Sequence, residues 1–244
     1  MKVTLINCTP LAVETLLFTK QTRLNMTANA FEDICRKVQE DPEWAHQELA
    51  YMADTIPSSW EFVDYTFMVE GVSRAYTHQQ VRTRAASYAQ QTLRVLDVSG
   101  GFEYVFTDRN KQDVFATGII VDVCNHVRAA YAKLIEIGQP PEDARGILPT
   151  NIATNIVCKF NLRTMADLAA SRTGGRTQGE YQRVINAMID EVLKVHPWAD
   201  KFLFQQRRDY FEELEQAIKA EWPDDLLKRG KFLKLVDKMR KERK

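Results

Sequence analysis

Between Gly71 and Leu96 the chain carries four arginines, Arg74, Arg82, Arg84 and Arg94, and no aspartate or glutamate. Arginine presents a planar, permanently charged fork that grips phosphate or carboxylate through paired hydrogen bonds. Among these cations lie Gln79, Ser87, Gln90, Gln91 and Thr92, neutral donors and acceptors suited to a base or a ribose. A second cluster, Lys159, Arg163, Arg172 and Arg176, contains a single acid, Asp167, and Gly174-Gly175 would let backbone N–H groups approach an anion. Both clusters suggest small phosphorylated ligands. The plainer alternative is a set of arginines on solvated helix faces, but such faces ordinarily mix both signs of charge.

The elements that must position these groups can be read from periodicity. Residues 2–8 read as a strand stopped by Pro10, with a helical run from Leu11, and residues 30–52 as helical, interrupted at Asp41-Pro42. Residues 61–69, rich in aromatic and β-branched side chains, predict a strand, and Gly71 to Arg84 a helix with Arg74, His78 and Arg82 on one face. Extended chain is expected over 86–95, loop or hairpin over 97–113, and a long amphipathic helix from Val114 to Gly138, with another short one from Pro140. Residues 155–162 read as a strand and 163–171 as a helix broken at Gly174-Gly175. Thr177 and Glu180 have capping-box spacing for a further helix, whose buried stripe is Tyr181, Val184, Ile185, Met188, Ile189 and Val192. Strands and helices do not alternate regularly, so the expected class is α+β, a mixed or antiparallel sheet flanked by helices.

With 244 residues, 45% apolar and 27% charged, the chain is long enough for a sizeable core, expected as a single domain over 1–200 with a helical basic tail over 201–244. Its formal net charge is zero, so nothing global favours nucleic acid or membrane. Four scattered cysteines, no signal-like N-terminus and no membrane-length apolar run point to a cytoplasmic protein with reduced thiols. No metal site is expected. Cys124-Asn125-His126 would diverge on a helix, and Cys158 lies in an apolar strand as a core residue. The stretch 226–244 holds nine Lys and Arg against Asp237 and Glu242; a solvated terminal helix is favoured over a nucleic-acid contact.

The string Ser73-Arg74-Ala75, Gln79, Arg82-Thr83-Arg84-Ala85-Ala86-Ser87-Tyr88, Thr92 and Arg94 resembles the signature of flavin-dependent thymidylate synthases, usually R-H-R-x7-S and here R-T-R-x7-T. Ser58-Ser59-Trp60-Glu61-Phe62, Ala144-Arg145 with Leu148-Pro149, Asn161-Leu162-Arg163, and Arg172 with Gln178 and Glu180 resemble further family segments, in order, over about 56–198. The resemblance implies an α/β enzyme working as a homotetramer with active sites at subunit interfaces. It would methylate dUMP to dTMP with FAD, NADPH and methylenetetrahydrofolate, polarising the base without an enzymic cysteine.

Carried over by position, Gln79, Arg82, Gln90, Thr92, Arg94 and Arg145 would meet the nucleotide, and Arg172 would hold and activate the pyrimidine edge. Ser58, Glu61, Arg82, Arg84, Asn161, Arg163 and Arg176 would line the flavin site. Thr83 stands where the family has histidine between the arginines, Ile56 and Arg176 replace further histidines, and Asp167 replaces an asparagine. These departures lie mainly on the cofactor side. They leave open hydroxymethylation of dUMP or of another pyrimidine nucleotide, and a non-catalytic relative that binds nucleic acid.

Overall fold

The computed structural model describes residues 1–24, 30–174, 177–204, 210–223 and 225–242. Four strands, β1 (Lys2–Cys8), β2 (Asp64–Ser73), β3 (Ala86–Gln90) and β4 (Ala153–Asn161), form one antiparallel sheet in the order β1-β2-β4-β3. The helices of the larger unit are α1 (Ala12–Leu24), α2 (Phe31–Glu40), α3 (Pro42–Thr55), α4 (Arg74–Gln80), α5 (Asp108–Gln112), α6 (Val114–Glu136), α7 (Pro141–Ala144), α8 (Leu162–Arg172), α9 (Gly179–Val195) and α10 (Asp200–Leu203). This is the α+β class expected from the pattern.

The two central strands alternate as half-buried strands must. Tyr65, Phe67 and Val69 of β2 and Ile156, Cys158 and Phe160 of β4 are buried, with Phe67 opposite Cys158 and Tyr65 opposite Phe160. Against this face α9 lays the expected stripe, Tyr181, Val184, Ile185, Met188, Ile189 and Val192, every member of it buried. Asp41 separates α2 from α3 as anticipated: its carboxylate accepts the Trp44 N–H at 2.9 Å, and Pro42 takes the first helical position. The loop before α5 is fastened to α6, where the Tyr104 hydroxyl donates to the Cys124 carbonyl at 2.6 Å and the Arg128 guanidinium lies over the Phe102 and Tyr104 rings.

Three local expectations are corrected. The helix predicted from Gly71 begins at Arg74, because β2 continues through a bulge. Four residues of β2, Val69 to Val72, lie opposite three of β4, Ile156 to Thr154. Gly71, at φ +65°, sits in the bulge, and its N–H donates to the Asn155 side chain at 3.0 Å. The extra residue brings Val72 onto the buried face and leaves Ser73 buried at the strand end. Arg82 therefore follows α4 instead of riding on its face with Arg74 and His78. Second, residues 91–95 continue β3 as loop.

Third, the Thr177/Glu180 capping box does not form. Helix α9 starts at Gly179, Gln178 caps it without a side-chain bond, and Glu180 is buried with its carboxylate directed at Ser73.

Residues 205–244 form a separate compact unit, in which α11 (Tyr210–Glu221) and α12 (Leu226–Glu242) pair. Trp222 and Phe232 stack with centroids 4.7 Å apart, and Ile218 and Val236 are buried. Among the described residues, no helix is long and apolar enough to cross a membrane.

Candidate active site

The nucleotide-side candidates converge on α4, β3 and the adjoining ends of α8 and α9. Ser73 caps α4, its hydroxyl accepting the Tyr76 N–H at 3.0 Å. From this helix Gln79 donates to the Gln178 side chain at 2.6 Å, and the Thr77 hydroxyl accepts from Gln90 of β3 at 2.9 Å. The loop beyond β3 then carries Thr92, whose hydroxyl accepts the Arg94 N–H at 3.0 Å. Arg94 forms an exposed ion pair with Glu142 at 2.9 Å, and Arg145 donates to the Glu142 carbonyl at 3.1 Å, so one turn around α7 gathers both arginines.

The arginines of the signature turn are held from behind. The Tyr88 hydroxyl points at the Gln80 and Thr83 carbonyls, each at 2.8 Å, and fixes the turn from Val81 to Ala85 against β3. Burial pushes the Tyr88 phenol up to about 12, so it remains a donor at neutral pH. Arg82 and Arg84 project from this turn into solvent, and among the described residues neither pairs with a carboxylate.

Arg172 ends α8 with its guanidinium carbon 5.1 Å from the Tyr181 ring centroid, a cation–π placement on a fully buried ring. Its Nε and the Tyr181 hydroxyl are both buried, and among the described residues neither makes a well-formed hydrogen bond, the hydroxyl having only looser polar contact with Thr83 and Arg172. Burial raises the Tyr181 phenol, although neighbouring Thr83 and Arg172 act in the opposite direction. Buried polar groups left unpaired are costly, and such groups offer a place where a polar ligand, or water, completes the bonding.

The reading of individual site residues did not include Arg74, which the geometry brings forward. It donates to the Gln91 carbonyl at 2.7 Å, and its Nε is buried without a partner among the described residues. Burial and then the nearby charge of Arg145 lower its pKa. Arg74 and Arg145 thus lie close enough for their like charges to interact. The presence of Arg74 in the Ser73-Arg74-Ala75 string was the available signal. Tyr88 and Tyr181 were equally absent from the expected set, because their roles arise from contacts across the fold.

The flavin-side candidates gather at the opposite end of α8. Asn161 caps that helix by accepting the Thr164 N–H at 2.8 Å, Arg163 pairs with Glu61 at 2.6 Å, and Ser58 accepts from Arg23 at 2.7 Å. The length of α8, 11 residues, separates this group from Arg172 by about 15 Å. Arg176 and Gly175 lie outside the described residues.

A cavity of about 450 Å³ opens beside the β2 bulge, lined by Gly71, Gln91, Leu93, Asp97, Phe102 and Thr154 among others, and none of the assigned ligand residues borders it. Cys124 is buried while His126 is exposed, so they form no dyad. Burial pushes the Cys158 thiol up to about 12, which suits a core residue and not a nucleophile. Among the described residues no cluster of side chains could hold a metal ion.

A family profile described as "Thymidylate synthase complementing protein" matches residues 6–198. The chain is 38% identical over 133 residues to a flavin-dependent thymidylate synthase of Sulfurisphaera tokodaii, a match covering 54% of this chain and 51% of that protein. It is 32% identical over 153 residues to the enzyme of that name from Clostridium tetani, covering 56% and 61%. The chain thus spans about half to three-fifths of the length of these relatives. A longer match, 30% identical over 209 residues and 80% of each chain, joins it to the flavin-dependent thymidylate synthase of Pyrococcus abyssi. With the profile covering most of the described sheet and helices, this chain belongs to the thymidylate synthase complementing protein family.

Proposed function

We propose that this chain is a flavin-dependent thymidylate synthase, converting dUMP to dTMP with FAD, NADPH and methylenetetrahydrofolate. The observation that carries this reading is the buried edge made by Arg172 and Tyr181, whose Nε and hydroxyl are without a well-formed hydrogen bond among the described residues. In it, Arg172 meets the pyrimidine edge and stabilises negative charge as it develops on the ring, an effect strongest in a water-poor site. Arg74, Arg94 and Arg145 hold the phosphate, with Gln79, Gln90, Thr92 and Arg82 about the sugar and base. Taking phosphate requires Arg94 to leave Glu142; exposed pairs of this kind contribute about 0–1 kcal/mol, so the exchange is cheap.

Ser58, Glu61, Arg84, Asn161, Arg163 and, by sequence position, Arg176 would hold the FAD, with Arg82 at its boundary with the nucleotide. Arg163 and Glu61 form an exposed pair that an incoming phosphate can open. FAD held by these residues would supply hydride-transfer chemistry, with NADPH as its reductant. A homotetramer with shared sites is part of the proposal. The 15 Å between the two ends of α8, and the large apolar side chains of α6 left exposed in the single chain, Val114, Phe115, Ile119 and Val123, support it. Residues 1–200 are assigned the catalysis, in the cytoplasm, where four free thiols are at home.

Purified protein is expected to show a flavin absorption band that NADPH bleaches, and to release tritium from C5-labelled dUMP only when the folate is present. Protein that stays colourless after incubation with FAD would sink the proposal. Mass spectrometry of the nucleotide product distinguishes a methyl from a hydroxymethyl group.

A further inference from the structure

We infer that Glu180 is a positioning residue for the nucleotide half of the site, a role that rests on the functional reading above. Its side chain is buried, at 6% exposure, and among the described residues no Lys or Arg pairs with it. A buried carboxylate must find its hydrogen bonds elsewhere. Both come from Ser73, whose N–H donates at 2.7 Å and whose hydroxyl donates at 2.6 Å. The same hydroxyl accepts the Tyr76 N–H, so the carboxylate reaches through Ser73 into the first turn of α4.

The neighbours of Glu180 extend this connection. Two residues earlier, Gln178 accepts from Gln79 near the other end of α4. One residue later, Tyr181 supports the Arg172 guanidinium. The start of α9 therefore sets α4 at both ends and fixes the end of α8. Arg74 follows Ser73 directly, so loosening Ser73 removes one of the restraints on the arginine, the others being its own N–H on the Ile152 carbonyl at 3.1 Å and its guanidinium on the Gln91 carbonyl. The turn bearing Arg82 and Arg84 hangs from the end of α4, where the Arg82 N–H donates to the Gln79 carbonyl at 3.2 Å, but Tyr88 of β3 holds it as well, and Ser58, Glu61, Asn161 and Arg163 lie at the far end of α8. Glu180 thus governs nucleotide binding without governing flavin binding.

The test uses full-length, flavin-loaded protein. Glu180→Gln keeps the size of the side chain and removes its charge; Ser73→Ala removes only the hydroxyl. Calorimetry with dUMP should show Kd raised about tenfold or more in Glu180→Gln, as misplacement of about an ångström allows. Flavin Kd, read by fluorescence, should stay within about twofold of wild type, and KM for dUMP should rise more than kcat falls. The double variant should be no weaker than the weaker single one, since both act through one contact. If Glu180→Gln does not fold, Ser73→Ala carries the same comparison with a smaller effect in the same direction.

An unchanged dUMP Kd in a variant, or an equal loss of flavin and nucleotide, would overturn the assignment of Glu180. A wild-type protein that binds flavin but no dUMP would instead remove the functional reading on which it stands.

Discussion

Replacing Arg172 by alanine is expected to lower turnover about 10²–10³-fold, the usual cost of removing one group aimed at developing charge, while flavin stays bound. The separation follows from the fold: Arg172 closes α8, and Ser58, Glu61, Asn161 and Arg163 cluster about its beginning. Arg172→Lys should recover only part of the lost activity, because a lysine keeps the charge without the planar fork that can address two ring atoms together. Tritium release from labelled dUMP measures the turnover and the absorption spectrum measures the flavin. Flavin lost in proportion to activity would show that Arg172 serves the cofactor and not the pyrimidine.

The second large effect is on stability. Phe67 is fully buried in β2, with centroids 6.5 Å from Tyr65 and 6.4 Å from Phe160. Truncating such a ring costs about 3–5 kcal/mol, the transfer of the removed atoms plus the cavity they leave. For a unit of about 200 residues that should lower Tm by roughly 10 °C. Phe67→Leu should cost much less, since most of the volume remains. Thermal unfolding followed by circular dichroism measures both. A loss under about 1 kcal/mol for Phe67→Ala would mean that the sheet face is packed less closely than its burial indicates.

Much of this core was legible before any coordinates, because burial leaves a period in the sequence. The aromatic and β-branched content of residues 61–69 indicates a strand, found at Asp64–Ser73, and the helical spacing from Tyr181 to Val192 indicates a buried stripe, every member of which is buried. Local signals failed where a distant partner was stronger. Glu180 has the spacing to close a capping box with Thr177, yet its carboxylate goes to Ser73, 107 residues away in sequence. The polar run after Gly71 suited a helix, but a glycine at positive φ extends the strand by a bulge, a feature with no periodicity of its own.

The site divides in the same way. The arginine clusters were visible through the acids missing from their stretches of sequence, yet the fold brings acids from elsewhere, Glu142 to Arg94, Glu61 to Arg163 and Asp64 to Lys159. That Arg172 would rest on Tyr181, or that Tyr88 would back the signature turn, depends on contacts between elements.

Arg82 and Arg84 stand out from a turn fixed by one phenol, exposed and free of carboxylate neighbours among the described residues. Charges placed this way act before contact. They extend an attractive field about a Debye length, roughly 8 Å at physiological ionic strength, into the water through which an anionic ligand diffuses. Because the turn does not have to reorganise, that field keeps a constant direction, and its first effect is on the rate of encounter and not on the lifetime of the complex. In a chain whose charges sum to zero, this turn is thus a local source of positive field that the net charge does not reveal.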